Sequence, residues 1–272
     1  MEIAIPEEGA WDSFDRMADR EGWTVPGWER ELYLKAWPSS AAVLLDESEP
    51  RGFVTAVAFG RHGWIGNLIV APDFRGRGFG RQLFAHALES LERRGCTSVW
   101  LTASASGRPL YETFGFQTVD RVERCVRAAE EVRRDRACTP QADIGSVVAA
   151  DAAVWGVRRT DLFSALQPGG EVFSAGETVA CLQAGEGERV LGPWVSPSQC
   201  FRQNRTVLAQ ILDAPAGRGS IVADVRVSSP IRPLLAAAGF VAKGGCDLMV
   251  RGGGQGVDLA PLVTFASLGS LG

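Results

Sequence analysis

Six consecutive residues, Arg75-Gly76-Arg77-Gly78-Phe79-Gly80, have the composition of a loop that holds an anion. They follow an apolar stretch, Trp64 to Val70, that reads as a strand ending at Pro72. They precede a helix whose apolar stripe is Leu83, Phe84, Ala87, Leu88 and Leu91. A glycine-rich turn in that setting lets the backbone approach a ligand closely, and it aims the first helical N–H groups and the positive end of the helix dipole at it. A phosphate group is the natural occupant. A dinucleotide loop would need G-x-G-x-x-G and an acidic residue about 20 positions on, and Arg77-Gly78-Phe79-Gly80 has the wrong spacing. A nucleotide P-loop would need Gly-Lys-Ser/Thr, which is absent here.

The stretch Val70-Ala71-Pro72-Asp73-Phe74-Arg75-Gly76-Arg77-Gly78-Phe79-Gly80 resembles motif A of the GNAT superfamily of N-acetyltransferases, R/Q-x-x-G-x-G/A after a strand reading V-x-P. Leu110-Tyr111-Glu112-Thr113-Phe114-Gly115-Phe116 resembles that family's second motif, a tyrosine shortly before Gly-Phe. The resemblance implies an acetyl-CoA site formed by Leu68, Ile69, Val70, Arg75, Gly76, Arg77, Gly78, Phe79, Gly80 and Arg81. It also implies that the strand holding Leu68 to Val70 splays from its neighbour, that the Val70 N–H polarises the thioester carbonyl, and that Tyr111 protonates the CoA sulfur. Many relatives place a carboxylate base on this strand, but Ile65-Gly66-Asn67-Leu68 offers none. Ordered water, or Glu, Asp or His from elsewhere, including the second half, stays open. His62 is one candidate, although it reads more simply as a surface histidine.

These residues need elements to position them. Met1 to Pro6 reads as a short strand, Trp11 to Arg20 and Trp28 to Trp37 as helices, and Ala41 to Leu45 and Phe53 to Phe59 as strands. Arg93, Arg94 and Gly95 end the helix after the loop. Val99 to Leu101 is a buried strand, Pro109 to Phe114 a short helix, and Phe116 onward another strand. The charge-dense run Arg121 to Arg136 is expected on the surface.

The pattern then repeats. Arg108-Pro109-Leu110-Tyr111 and Gly115-Phe116 align with Arg232-Pro233-Leu234-Leu235 and Gly239-Phe240, and Val70-x-Pro72 aligns with Val195-x-Pro197 at nearly the same offset. A helix-compatible stretch, Thr206 to Leu212, and a strand, Ile221 to Val225, fill the interval. The expected class is α/β, with two tandem GNAT-like domains that each have a mixed, mostly antiparallel sheet flanked by helices. Their expected bounds are 1–128 for the catalytic domain, 129–142 for a linker, 143–252 for a degenerate domain and 253–272 for a tail that looks flexible, although Leu259 to Leu268 is apolar enough to dock. In the second unit Cys200, Gln203 and Arg205 stand where Arg75, Gly78 and Gly80 stand in the first, and Leu235 replaces Tyr111. A cradle needs small residues and a leucine donates no proton, so that unit is expected to be inactive. Tandem members of the family imply that it shapes the acceptor pocket. Asp151, Trp155 and Arg158, clustered with Arg159 and Asp161, are then substrate-contact candidates, against the plainer reading of solvated charges and a packed tryptophan.

Composition narrows the functions. A formal charge of -4 gives no positive field for a phosphate backbone, so no nucleic-acid partner is expected. Six cysteines lie scattered without a C-x-x-C pair and the two histidines stand apart, which suits reduced thiols and no metal. No apolar run approaches the roughly 20 residues that cross a bilayer, so a soluble cytoplasmic monomer or homodimer without membrane contact is expected. Three functions stay open: acetyl transfer from acetyl-CoA to a small-molecule primary amine, a non-catalytic acyl-CoA-binding module, and transfer from another acyl donor, such as another acyl-CoA or aminoacyl-tRNA.

Overall fold

The computed structural model describes residues 1–23, 25–129, 143–166, 169–185, 187–214 and 219–272. In the first half, β1 (Glu2–Ala4), α1 (Glu8–Arg20) and α2 (Gly27–Glu31) lead into the meander β2 (Ala41–Asp46), β3 (Glu49–Phe59) and β4 (His62–Val70). Then come α3 (Phe79–Arg93), β5 (Ser98–Ala103), α4 (Arg108–Glu112) and β6 (Gln117–Arg127). The second half runs α5 (Ile144–Trp155), α6 (Thr160–Leu166), β7 (Glu171–Ala175), β8 (Thr178–Leu182), β9 (Glu188–Val195), α7 (Phe201–Asp213), β10 (Ser220–Arg226), α8 (Arg232–Ala237) and β11 (Val241–Arg251), and β12 (Leu262–Thr264) follows. The expected helix over Trp28 to Trp37 is divided: α2 continues as a π-type stretch, Leu32–Ala36, closed by Trp37 N–H to Leu32 O at 2.7 Å.

Among the described residues the strands form one mixed sheet in the order β1-β2-β3-β4-β5-β11-β6-β10-β12-β9-β8-β7, with β4–β5 and β9–β10 parallel. The two halves are laced together. β11 lies against β5 of the first half, β6 lies against β10 of the second, and β6 and β11 pair antiparallel with each other. The repeat seen in sequence is visible here as α4 and α8, each followed by a glycine at φ 83° or 85° and an 11-residue strand. The expected linker lies almost wholly in 130–142, outside the described residues.

The α3 stripe is wholly buried against Val54, Ala56, Ile65 and Leu101 of the sheet, and Gly95 at φ 83° ends the chain's helical path. α7 buries Val207, Leu208 and Ile211 in the same way against β8 to β10. On a further face Trp11, Phe14 and Tyr33 share a core with Trp155, Leu162 and Phe163 of the second half.

Two expectations need correction. Arg121 to Arg127 is not a surface run but part of a central strand; residues 130–136 lie outside the described part. Its charges are matched by neighbouring elements: Arg124 with Asp224 of β10 at 2.8 Å and Glu123 with Arg232 of α8 at 2.7 Å, while Asp120, just before the run, meets Arg226 of β10 at 2.9 Å. The segment after Gly252 is not a loose tail. β12 joins the sheet, and Leu262, Val263, Phe265, Ala266 and Leu271 are buried.

That segment explains Asp151 and Arg159. Their side chains are almost fully buried and form a two-pronged ion pair at 2.6 and 2.9 Å, and Arg159 also donates to the Leu271 and Gly272 carbonyls at 2.6 and 3.1 Å. Removing one partner leaves a buried charge uncompensated. Asp151→Ala is therefore expected to destabilise the fold by about 3–5 kcal/mol, read as a lowered midpoint in urea denaturation.

Candidate active site

β4 and β5 start side by side and then part. Their register runs His62–Ser98, Gly63–Val99 and Trp64–Trp100 and stops there, although β4 continues to Val70 and β5 to Ala103. On its other edge β4 is bulged between the Phe53–Ile69 and Thr55–Gly66 pairs, and Asn67 sits at φ 52°. A bulge of this kind turns a strand and breaks its ladder. Ala71 N–H donates to Arg51 O at 2.8 Å. Because successive N–H groups of an extended strand face opposite edges, the Val70 and Leu68 N–H groups face the opening and that of Ile69 faces β3. Ile69 therefore stands apart from the other predicted ligand contacts, with its side chain in the core.

Past Val70 the chain makes one 3₁₀ turn, Pro72–Phe74, and enters the glycine loop. Gly76 and Gly78 have φ of 73° and 83°, and a Cβ on either would meet no atom within 4 Å. The first helical bond of α3 is Gln82 N–H to Gly78 O at 3.1 Å, so the N–H groups of Phe79, Gly80 and Arg81 point out of the helix end. No acidic residue stands in that first turn. An open, donor-rich cradle of this kind fits a pyrophosphate. Arg75 departs from the expected ligand role, since its guanidinium is already engaged by Val70 O at 2.8 Å and Glu21 at 2.5 Å. It ties the loop back to the strand. Arg77 lies over the Phe74 ring, and Arg81 lies over Phe114 while bonding Thr113 at 2.9 Å; both keep positive charge at the cradle.

Beside the opening is a cavity of about 260 Å³. Leu68 and Thr102 flank it from β4 and β5, and Tyr111 lines it from α4. A tilted contact with Phe84, ring centroids 4.8 Å apart, holds the Tyr111 ring. Burial, with the Cys246 thiol adding a smaller effect, pushes its phenol up to about 12, so the proton stays on the oxygen near neutral pH. Facing the same cavity is Glu29 of α2, only 2% exposed. Desolvation raises its pKa, against the lowering effect of hydrogen bonds from Ser270, Ser267 and Asn67 and of the Arg124 charge. Arg124, Asp224 and Cys246 close the far side.

Glu29 is the functional candidate that sequence reasoning missed. Nothing local distinguishes it from its neighbours Arg30 and Glu31, and its burial depends on Ser267, whose hydroxyl donates to it at 2.8 Å from 238 residues away. His62 proves to be buried rather than on the surface, and it lies outside the cavity lining; burial and Arg61 lower its pKa. Asp151, Trp155 and Arg158 are also outside that lining. Asp151 serves the ion pair with Arg159, Trp155 packs edge-on to Trp64 and Trp100, and Arg158 is exposed. In the second half the corresponding helix start holds the Gln203 side chain, which accepts from Thr178 at 3.2 Å and fills the space beside Gly176, and Leu235 is buried.

Residues 8–116 match the model of the acetyltransferase (GNAT) family. Over these residues the chain is similar to members of that family. The ribosomal protein bS18 alanine N-acetyltransferase of Salmonella typhimurium is 45% identical over 53 residues, 18% of this chain and 36% of that protein. The same enzyme of Haemophilus influenzae is 29% identical over 110 residues, 40% of this chain and 66% of that protein. The chain thus spans between about a third and two thirds of the curated relatives it resembles. A candidate acetyltransferase from Pyrococcus horikoshii superposes with a TM-score of 0.80 at 20% identity, covering 99% of this chain and 95% of that one, a likeness of fold that extends beyond the GNAT-matched residues through the second half.

Proposed function

We propose that the protein is an acetyl-CoA-dependent N-acetyltransferase that moves an acetyl group to a primary amine of a small molecule by direct attack on the thioester. The observation that carries this reading is the pairing, on one cavity beside the β4–β5 opening, of a neutral phenol, Tyr111, with a desolvated carboxylate, Glu29. Amide formation needs a free amine, a polarised carbonyl and a proton for the departing sulfur. Glu29 takes a proton from the entering ammonium. The amine nitrogen bonds to the carbonyl carbon while the Val70 N–H steadies the oxygen, the C–S bond breaks, the Tyr111 hydroxyl protonates the sulfur, and the proton that the nitrogen sheds in becoming an amide returns to the Tyr111 oxygen. The loop from Gly76 to Arg81 supplies the pyrophosphate cradle.

The reading treats residues 1–128 as the catalytic GNAT unit and 143–252 as a degenerate copy that retains the fold without a cradle or tyrosine. A second acceptor class, a polypeptide N terminus, is favoured by the relatives named for acetylating an alanine of a ribosomal protein. Release of CoA thiol across a panel of amines tests the activity; acetyl-CoA binding without turnover of any amine or peptide would point to a non-catalytic acyl-CoA module. Tyr111→Phe keeps the ring and removes the proton, so kcat is expected to fall by about 10²-fold with acetyl-CoA affinity, measured by calorimetry, unchanged.

A further inference from the structure

The segment after β12 takes an unusual course. Ala266 to Ser270 line the cavity beside the β4–β5 opening. Thr102 on β5 donates to Leu268 O at 2.5 Å. Gly66 on β4 faces the segment so closely that a Cβ there would lie 2.6 Å from Ser270 Cα and still nearer Gly269 O. Gln183 of β9's neighbouring turn donates to Ala266 O at 2.7 Å, and Arg159 grips Leu271 and Gly272. Donors from both halves therefore fix this stretch on either side of the cavity, which makes it a wall rather than a hinged flap. Two of its hydroxyls face Glu29: Ser267 bonds the carboxylate at 2.8 Å and is itself 2.8 Å from the Ser270 hydroxyl.

We infer that residues Ala266–Ser270 select the acceptor: they wall the opening between β4 and β5 so that the site takes a compact amine and turns away a polypeptide N terminus, with Leu268 setting the depth and Ser267 positioning Glu29. The inference rests on the acetyltransferase reading above and refines its acceptor class. A peptide bringing its N-terminal amine to Tyr111 and Glu29 from this side would have to lead its backbone out through space that Leu268 to Ser270 occupy. A small amine needs no such exit. Ser267 acts through Glu29, because its hydroxyl stabilises the ionised carboxylate against the burial that raises its pKa.

The test uses the full chain, acetyl-CoA, a set of primary amines of graded size and a short peptide beginning with Ala. For the unmodified protein, kcat/KM for the best amine should exceed that for the peptide by about 100-fold or more. Leu268→Ala should shift the preference toward bulkier amines by about 10-fold and leave acetyl-CoA affinity unaltered. Ser267→Ala should move the acidic limb of the kcat/KM profile to higher pH, since the carboxylate loses a donor to its charged form. Equal or better use of the peptide, an unchanged size preference in Leu268→Ala, or an unmoved acidic limb in Ser267→Ala would each overturn the inference while leaving an acetyltransferase in place. Failure to bind acetyl-CoA at all, measured by calorimetry, would overturn both the inference and the reading on which it rests.

Discussion

Gly78→Glu is expected to abolish acetyl-CoA binding in a protein that remains folded. Gly78 stands at φ 83° as the residue that begins α3, with open space where a side chain would project. A Cβ there meets no atom of the protein within 4 Å. The left-handed backbone costs an L-residue roughly 1–2 kcal/mol, which a chain of this size can absorb. The carboxylate would enter the cradle formed by the N–H groups of Phe79, Gly80 and Arg81. Like charges about 4 Å apart repel by about 4 kcal/mol at an effective dielectric of about 20, close to a thousandfold in Kd. Calorimetry checks the affinity and circular dichroism the fold. Unchanged affinity would remove the pyrophosphate from this loop.

Glu29→Gln is the second large expected effect. The amide keeps size and polarity but cannot accept the ammonium proton, so kcat/KM should fall by about 10²- to 10³-fold, with acetyl-CoA affinity unchanged. The pH profile carries a separate signature. Desolvation raises the Glu29 pKa, so activity of the unmodified protein should rise with pH through a midpoint above the usual carboxylate range, and Glu29→Gln should lose that limb. Stability runs the opposite way. With the folded pKa above the unfolded one, this group's contribution is complete below the unfolded pKa and is lost as pH rises through the folded pKa. The catalytically useful ionisation therefore opposes the fold, and Glu29→Gln should unfold at a temperature no lower than the parent above that window. A variant that keeps full activity and its acidic limb would remove Glu29 from proton transfer.

What could be read from the sequence was what depends on neighbours along the chain. The α3 stripe, the glycine loop and the Tyr111 motif follow from local periodicity, backbone freedom and spacing; the stripe is buried against the sheet and Tyr111 lines the cavity beside the β4–β5 opening. The repeat was also legible, because α4 with Gly115 and α8 with Gly239 are the same local solution written twice. Features set by distant partners were not legible. Arg124 looks like a solvent charge until Asp224 stands opposite it in register. Glu29 looks like one of several charges on a short helix until Ser267 and Ser270 bury it. The run from Leu259 to Leu268 was apolar enough to dock, but its docking site is assembled from β9, β10 and the β4–β5 opening, which no window of sequence contains. In sequence Asp151 and Trp155 read as a charged and aromatic cluster, and long-range packing puts them to structural use.

The interleaving of β6 and β11 governs how this chain can be made. β5 finds its second neighbour only when β11 has been synthesised, so a nascent chain that has emerged as far as β6 holds a sheet with an unfilled slot beside β5. Long-range pairing of this kind delays folding and leaves strand edges open to wrong partners during synthesis. β11 and β6 tie the two halves through a shared ladder, so a chain cut at residues 130–142 is expected to regain its sheet by complementation between the two pieces.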